Sequence, residues 1–412
     1  MMKIAKFAWK NFFRNSKSNF TLVFLMVFGV LALIIAYGFI QSTFTGLKES
    51  SIHRGIGHFQ IMDKKEKLGD TDTPLEFGIS PKEYKTIHKA IMKNIDEVEA
   101  IMPRVSFSGI ISKDEKSTIF MGSGVDVVDE SKFASVFIEI IKGKNLGLDF
   151  DNPSKNEVIL GRELAQILKA KVGDDITLMA TTVDGAINAI DLEVSGIFVT
   201  GIEEVDKRAI LTPLKIAQEI LRTDKITKVV VGLYETDKAK EIYNKTKINM
   251  KDTRLSFYFW EELSMFYKAV VSLYNTFFTF LGGLILLVVL STVFGSVNAS
   301  VISRTKEIGM LKANGFTNNE VLSLIFLEVL ILSCIAMVLA FILGQSAIFL
   351  INAMQLTMPP PPGSTQGYPL QLEHVVIESI IISTTLPVIA LLASLKPAFK
   401  GARLKIAQAL RS

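Results

Sequence analysis

Four long apolar stretches constrain the fold of this 412-residue chain more than any other feature. A helix that crosses the hydrocarbon core of a bilayer needs about 20 largely apolar residues. Backbone amides inside a bilayer must be hydrogen-bonded within the chain, so such stretches form helices. The predicted spans are 20–44, 266–302, 321–354 and 374–395. Between the first and second spans, segment 45–265 has the composition of a globular domain.

The distribution of basic residues predicts the orientation. Segments 1–19 and 396–412 each carry five Lys or Arg and no acid, and segment 303–320 adds three more basic residues. Loop 355–373 has neither Lys nor Arg. By the positive-inside rule, both termini and 303–320 are cytoplasmic and the large domain is outside. The predicted fold class is an α-helical membrane protein with four transmembrane helices, one plus three, and a large α+β extracytoplasmic domain between helices 1 and 2.

The flanks of the spans predict further features. Segment 1–19 places its basic residues on one face of a helix, which is typical of a cytoplasmic helix lying in the headgroup plane. Segment 266–302 is longer than a bilayer requires, so we expect transmembrane helix 2 to continue into a stalk on the outer side. The basic flanks suit anionic lipid headgroups, and no nucleic acid partner is expected.

The domain at 45–265 alternates strand-like and helix-like runs. We expect two lobes, with a boundary near 143–154, where Gly, Asn, Asp and Pro cluster. The only cysteine, Cys334, lies in the third span, so the domain has no disulfide to stabilise it. Predicted strands are 57–62, 98–112, 117–125, 157–160, 172–179, 189–198 and 228–233, and predicted helices are 80–94, 161–170 and 214–222.

The polar island between the second and third spans, 303–320, is too elaborate for a simple connecting loop. Gly315 stands where a helix end favours positive φ, and Thr317 with Glu320 forms a capping box for the next helix. We therefore predict a short amphipathic helix that acts as a docking surface at the membrane face. Its polar face carries Arg304, Glu307 and Lys312, and its apolar face carries Ile308, Met310 and Leu311.

Several kinds of chemistry have no motif in the sequence. It contains no G-x-x-x-x-G-K-[ST] run for nucleotide binding and no H-E-x-x-H pattern, and its four histidines are scattered. Glu328 lies inside the third span, where a carboxylate is a candidate functional group, although it could equally hydrogen-bond a neighbouring helix. A membrane hydrolase or a proton-driven transporter is accordingly disfavoured.

The island carries a family resemblance. Residues 304–315, RTKEIGMLKANG, are similar to the R-x-x-E-I-G-x-L-x-A-x-G signature of FtsX-like ABC-transporter permeases, and Glu328 matches a glutamate common early in their third span. The ending 402–411 resembles the family's A-R-x-x-P-x-E-A-L-R, but it lacks the proline and has Gln408 in place of the usual glutamate. In the large domain, 157–165, 172–174 and 194–201 resemble the lipoprotein-releasing, Lol-type branch.

The resemblance implies that the island is a coupling helix for a separate cytoplasmic ABC ATPase dimer. That partner would bind ATP and Mg, so this chain would be non-catalytic and would hold no cofactor or metal of its own. A second permease, identical or paralogous, would complete the complex in the inner membrane. The resemblance assigns the coupling role to Arg304, Lys306, Glu307, Ile308, Gly309, Leu311, Lys312 and Gly315.

In the Lol-type branch, the cargo is a lipidated protein that is extracted from the outer leaflet and passed to a periplasmic lipoprotein carrier. The large domain would then be a periplasmic domain of the MacB-like core type. The resemblance implies that acyl chains lie between the first two spans. The residues expected to line such a cradle are Ile40, Phe44, Phe266 and Val270.

Two alternatives remain open at the level of sequence. One is MacB-like efflux of small molecules or peptides, although that branch often has a fused ATPase and this chain shows no such fusion. The other is FtsX-type transmembrane signalling to cell-wall hydrolases, whose outer domains are typically smaller. The proline run 359–362 is predicted to be a polyproline spacer, and it could also distinguish these branches.

Overall fold

In the computed structural model, four helices of the described chain are long and apolar enough to cross a membrane. The structure describes residues 16–65, 77–133, 139–147, 156–250, 254–358, 368–406 and 409. In chain order the helices are α1 Ser16–Ser51, α2 Pro81–Ile91, α3 Val127–Phe133, α4 Arg162–Leu168, α5 Glu203–Asp206, α6 Leu214–Leu221, α7 Ala239–Asn249, α8 Trp260–Leu263, α9 Met265–Ser303, α10 Thr305–Ala313, α11 Asn318–Ala353 and α12 Val376–Ala402. The strands are β1 Phe59–Asp63, β2 Val98–Lys113, β3 Lys116–Val125, β4 Glu139–Gly143, β5 Glu157–Gly161, β6 Asp175–Thr181, β7 Ile187–Val199, β8 Ala209–Pro213, β9 Lys228–Leu233, β10 Leu255–Phe259, β11 Thr357–Met358 and β12 Tyr368–Pro369.

The chain forms two compact units. The membrane unit comprises Met1–Phe44, Val270–Thr357 and Pro369–Ser412, and the inserted domain comprises Thr45–Ala269 and Met358–Tyr368. The inserted domain lies in sequence between the first and second membrane helices and contains strands as well as helices. The fold class predicted from the sequence is therefore confirmed.

The inserted domain is built on one ten-stranded mixed sheet. Its strand order is β10-β1-β9-β2-β3-β8-β5-β7-β4, and β6 pairs with β2 and β7. Strand β2 pairs antiparallel with β3, whereas β3 pairs parallel with β8 and β5 pairs parallel with β7. Strands β1 and β5 are buried along their whole length, including the polar side chains of Gln60, Asp63 and Glu157.

The sheet runs through both of the predicted lobes. The sequence predicted two lobes separated near 143–154, but strands from before and after that segment join the same hydrogen-bonded sheet. A single apolar cluster also contains residues from both halves, including Phe59, Phe107, Val158 and Ile210. The local Gly, Asn, Asp and Pro cluster therefore does not divide the sheet, because strand pairing across the chain is decided by long-range contacts.

Two predicted features lie outside the described residues. These are most of the interfacial helix at 1–19, of which only the residues from Ser16 are described, and the proline spacer at 359–362. Helix α12 continues to Ala402, seven residues beyond the predicted end of the fourth span at 395. Charged side chains such as Lys400 end an apolar stretch, but they do not end a helix.

Small residues allow the membrane helices to pack closely. Helices α11 and α12 pack extensively against each other, and Ser333, Ser379 and Ser383 are buried. A Cβ atom added at Gly344 of α11 would lie 2.9 Å from Ile34 Cδ1 of α1, so glycine is required for this approach. Small residues at such contacts are typical of helix packing in membranes, where backbone approach and van der Waals contact replace hydrophobic collapse.

A buried histidine connects three segments of the inserted domain. His58 is fully buried, its Nδ1 accepts a hydrogen bond from the Leu233 amide at 3.0 Å, and its Nε2 lies 3.1 Å from Thr236 Oγ1. Burial first, and then the neighbouring His53 and Lys48, lower the pKa of His58 to about 3. The imidazole is therefore neutral in the folded domain at neutral pH.

We predict that acid weakens the inserted domain through His58. An unfolded histidine has a pKa of about 6.5, so below that pH the unfolded state binds a proton that the folded state excludes. Stability is complete above about pH 6.5 and falls as the pH drops toward 3, by on the order of 2 kcal/mol at pH 5. Urea unfolding, followed by the fluorescence of the buried Trp260 in a Trp9→Phe background, measures this loss.

His58→Gln is expected to be less stable at neutral pH but to lose most of this pH dependence. The matched control is His88→Gln in α2. We expect the stability of this variant to change with pH as that of the parent protein does. A urea midpoint for the parent that does not change between pH 5 and pH 7.5 would contradict the assignment.

Candidate functional site

The island forms a short helix with defined ends. Helix α10 begins after Arg304, and Gly315 follows it with φ +93°, a left-handed conformation that glycine adopts without strain. The Phe316 amide bonds back to the Leu311 carbonyl at 3.1 Å, which closes the last turn. Thr317 and Glu320 then form the predicted capping box that starts α11. These two stop and start signals separate α10 from α11, whereas the non-helical backbone of Arg304 separates it from α9.

Arg304 connects the start of α10 to the third membrane helix. Its NH1 donates to Glu328 Oε2 at 2.7 Å, and its Nε donates to Glu307 Oε2 at 3.1 Å. The side chains of Arg304 and Glu328 are only 12% and 16% exposed, so the pair is largely shielded from solvent. Burial acts against the charge on Arg304, but the two carboxylates outweigh it and raise the pKa of the guanidinium above its ordinary value.

This ion pair explains the carboxylate in the third span. From the sequence, Glu328 could be a functional group or could hydrogen-bond a neighbouring helix, and the sequence does not identify its partner. In the structure, Glu328 neutralises the cation at the end of the second membrane helix, one turn beyond Val301. The signal available in the sequence was Arg304 itself, the only arginine in the island.

Lys312 makes a second connection, to the fourth membrane helix. Its Nζ donates to the carbonyl oxygens of Ala402 at 3.0 Å and Leu404 at 2.7 Å. Ala402 is the last residue of α12, where carbonyl groups lack partners within the helix and the helix dipole favours a cation. Sequence reasoning placed Lys312 on the polar face but could not identify backbone carbonyls as its acceptors.

Apolar contacts fill the space between these two polar connections. Ile308 of α10 is buried in the same cluster as Val301, Ile325 and Ala402. A Cβ atom at Gly401 would lie 2.9 Å from Val301 Cγ1 and 3.2 Å from Ile325 Cδ1, so glycine allows α9, α11 and α12 to meet here. The inner face of α10 is thus part of the membrane unit's core.

A small cavity adjoins the Arg304–Glu328 pair. Its volume is about 50 Å³, and its polar lining includes Asn19, Ser296 and Ser300. This is room for a few water molecules, which polar groups of this kind can bind. Among the described residues, no group of three or more His, Cys, Asp or Glu side chains could hold a metal ion.

The outer face of α10 remains accessible. Lys306 and Met310 are exposed, Met310 by 52%, whereas Glu307 and Leu311 are half-buried and Gly309 is buried. The prediction that Ile308, Met310 and Leu311 form one apolar face is therefore only partly right, because Met310 faces away from the core that contains Ile308. A mixed surface of one apolar and several charged groups is left for a partner.

The structure places the four predicted cradle residues in different environments. Ile40 is buried and so does not line an open groove in this conformation, whereas Phe266 is 64% exposed. Phe44 and Val270 are half-buried, and the Phe44 ring meets that of Tyr274 edge to face at 6.2 Å. Helices α1 and α9 also meet through Tyr37 and Phe278, whose ring centroids are 5.5 Å apart.

Comparison with known families agrees with this architecture. The family of FtsX-like permease C-terminal domains matches residues 279–406, and that of MacB-like periplasmic core domains matches residues 20–247, more than half of the chain. The chain is an FtsX-like ABC-transporter permease with a MacB-like periplasmic core domain. The FtsX-like match contains α10, the Arg304–Glu328 pair and the contact of Lys312 with α12.

Individual relatives of this FtsX-like permease are distant. It is 22% identical over 284 aligned positions to the lipoprotein-releasing system transmembrane protein LolC from two strains of Xylella fastidiosa, and the match covers 64% of this chain and 67% of the relative. Among solved structures, it is similar to the extracellular domain of the transporter YknZ from Gram-positive bacteria, with 15% identity, coverage of 48% of this chain and 98% of that chain, and a TM-score of 0.34. The periplasmic region of MacB from Actinobacillus actinomycetemcomitans is 12% identical, with coverage of 51% and 92% and a TM-score of 0.35.

We predict that breaking the Arg304–Glu328 pair destabilises the membrane unit. Arg304→Met removes the guanidinium that pairs with the shielded Glu328 carboxylate, which should lower the free energy of unfolding by about 3 kcal/mol. Glu328→Gln keeps a hydrogen-bond acceptor and should cost less, about 1 kcal/mol. Thermal unfolding in detergent can be followed by the reaction of Cys334, which lies in α11, with a thiol-specific dye.

Exchanging the two charges provides the decisive comparison. The double variant Arg304→Glu, Glu328→Arg should recover part of the lost stability, whereas Lys306→Met on the exposed side of α10 should unfold like the parent. If Arg304→Met and Lys306→Met unfold at the same temperature, the pair does not stabilise the membrane unit.

Proposed function

We propose that this permease uses ATP hydrolysis by a separate subunit to extract lipoproteins from the outer leaflet of the inner membrane for transfer to a periplasmic carrier. The observation that carries the coupling role is the fastened helix α10, which is bonded to α11 and α12 on one side and exposes Lys306 and Met310 on the other. The similarity to a protein named for lipoprotein release supports the cargo class.

In this proposal, α10 is the docking surface for a cytoplasmic ABC ATPase dimer. The charge distribution supports cytoplasmic termini and a cytoplasmic α10, with the inserted domain in the periplasm. ATP and Mg are held by the ATPase, and this chain is its non-catalytic membrane partner. A second permease, either a copy or a paralogue, completes a complex with two docking helices.

The cargo's acyl chains are proposed to lie against the first two membrane helices. Helix α9 exposes the large apolar side chains of Leu273, Phe277 and Phe280, and Phe266 lies earlier on the same helix. Phe44 and Val270 remain candidates for this surface. Ile40 could contribute only after the helices around it rearrange, because it is buried in the described conformation.

Depleting the protein and following lipoproteins tests the cargo. We expect outer-membrane lipoproteins to accumulate in the inner membrane, as measured by separating the two membranes and quantifying a labelled lipoprotein in each. Unchanged sorting with altered drug sensitivity would overturn the proposal in favour of MacB-like efflux. Unchanged sorting with defective cell separation would instead support FtsX-type signalling.

We predict that substitutions in α10 uncouple the ATPase without preventing membrane insertion. Glu307→Lys places a second cation beside Arg304, and Gly309→Pro disrupts the middle of a nine-residue helix. Each should reduce cargo release by more than tenfold while the protein still reaches the membrane. Release is measured as lipoprotein recovered in the soluble fraction, and insertion as membrane-bound permease that elutes as a single peak.

The control for these variants is Ile248→Ser, at an exposed position of α7 in the inserted domain. It should leave both insertion and release near the parent level. Normal release by both island variants would refute the docking role of α10.

A further inference from the structure

Lys312 uses its charge differently from the other lysine of α10. Its Nζ binds two backbone carbonyls, those of Ala402 and Leu404, and no carboxylate pairs with it among the described residues. Lys306, one and a half turns earlier, is exposed. Holding a flexible lysine against two carbonyls restricts its side chain, so this contact is a specific connection between α10 and the end of α12.

The end of α12 depends on such a connection. The last four carbonyl groups of an α-helix have no partners within the helix, and the C-terminus carries a partial negative charge. The closing bonds here are long, at 3.2 Å from the Arg403 amide to Phe399 O and 3.3 Å from the Leu404 amide to Gly401 O. The Lys312 ammonium binds at this point and neutralises the helix end.

Close packing around Lys312 allows its contact with α12 to transmit movement. Gly401 lies against Val301 and Ile325, and Ala398 and Ala402 are buried, so the end of α12 fits closely against α9 and α11. Arg304 holds the start of α10 to α11 through Glu328, and Lys312 holds its last turn to α12. The island is thus bonded at one end to α11 and at the other to α12, in addition to its covalent links to α9 and α11.

We propose that Lys312 is a positioning residue that fastens α10 to the C-terminal end of α12, so that the island, α11 and α12 move as one body. This inference rests on the proposed docking of an ATPase to α10 and adds the path of the force. A pull on α10 then reaches the fourth membrane helix directly through Lys312, and is not carried only along the covalent links to α9 and α11.

The fastening can be tested on the permease alone. Amide hydrogen exchange, measured by mass spectrometry in lipid nanodiscs, is compared in peptides covering 305–316 and 397–406. Lys312→Met should speed exchange several-fold in both peptides, and Lys312→Arg, which keeps the cation, should restore slow exchange. Lys400→Met is the matched control, because it removes an exposed charge from the last turn of α12 without touching the Lys312 contact.

Unchanged exchange at 397–406 in Lys312→Met would overturn the fastening, whether or not the cargo is a lipoprotein. Equal acceleration in Lys400→Met would also overturn it, because any loss of charge near the helix end would then suffice. This experiment needs no ATPase and no cargo, so its failure is distinguishable from failure of the proposed function.

Movement as one body is tested in the complex purified with its ATPase, by comparing exchange with and without ATP and vanadate. In the parent, ATP and vanadate should change the exchange rates of both peptides together. In Lys312→Met, the change in exchange rate at 305–316 should persist, whereas the change in exchange rate at 397–406 should be lost. A change at 397–406 that survives in this variant would show that force reaches α12 by another route.

Discussion

The membrane unit depends on one ion pair. It joins Arg304, at the start of α10, to Glu328 of α11. Arg304 and Glu328 are both largely shielded, and either charge without the other would have a high desolvation cost. Their contact sets the position of α10 relative to α11, because an arginine and a carboxylate at 2.7 Å leave little freedom of rotation. A second interaction, from Arg304 to Glu307, orients the guanidinium from within the island.

Close packing of small residues surrounds this arrangement. Gly401 and Gly344 bring neighbouring helices to distances that a methyl group would prevent, and buried serines line the contact between α11 and α12. Van der Waals packing between closely approaching backbones stabilises such helix pairs in a bilayer. The surface on which α10 rests is therefore made of backbone and short side chains, to which Lys312 and Arg304 add directional bonds.

Much of the local structure could be predicted because it depends on neighbouring residues. The capping box at Thr317 was visible as a short motif, and the left-handed residue after α10 was recognisable as Gly315. Strand β9 matches its predicted range of 228–233, because a short run of β-branched residues is a strong local signal. The division into two lobes stays a prediction, and the pairing of β3 with β8 and of β5 with β7 could not be predicted because it joins residues far apart in the chain.

The sequence by itself determined the four membrane helices, the inserted domain and the helical island, because hydropathy, helix capping and periodicity are properties of short segments. Only the tertiary structure decided which groups the island's charges meet. Glu328 lies 24 residues from Arg304, and the carbonyl acceptors of Lys312 lie about 90 residues away. A backbone carbonyl has no letter in the sequence, and a shielded carboxylate acquires its partner only when helices pack. That is why the short helix α10 could be predicted from the sequence while its attachment could not.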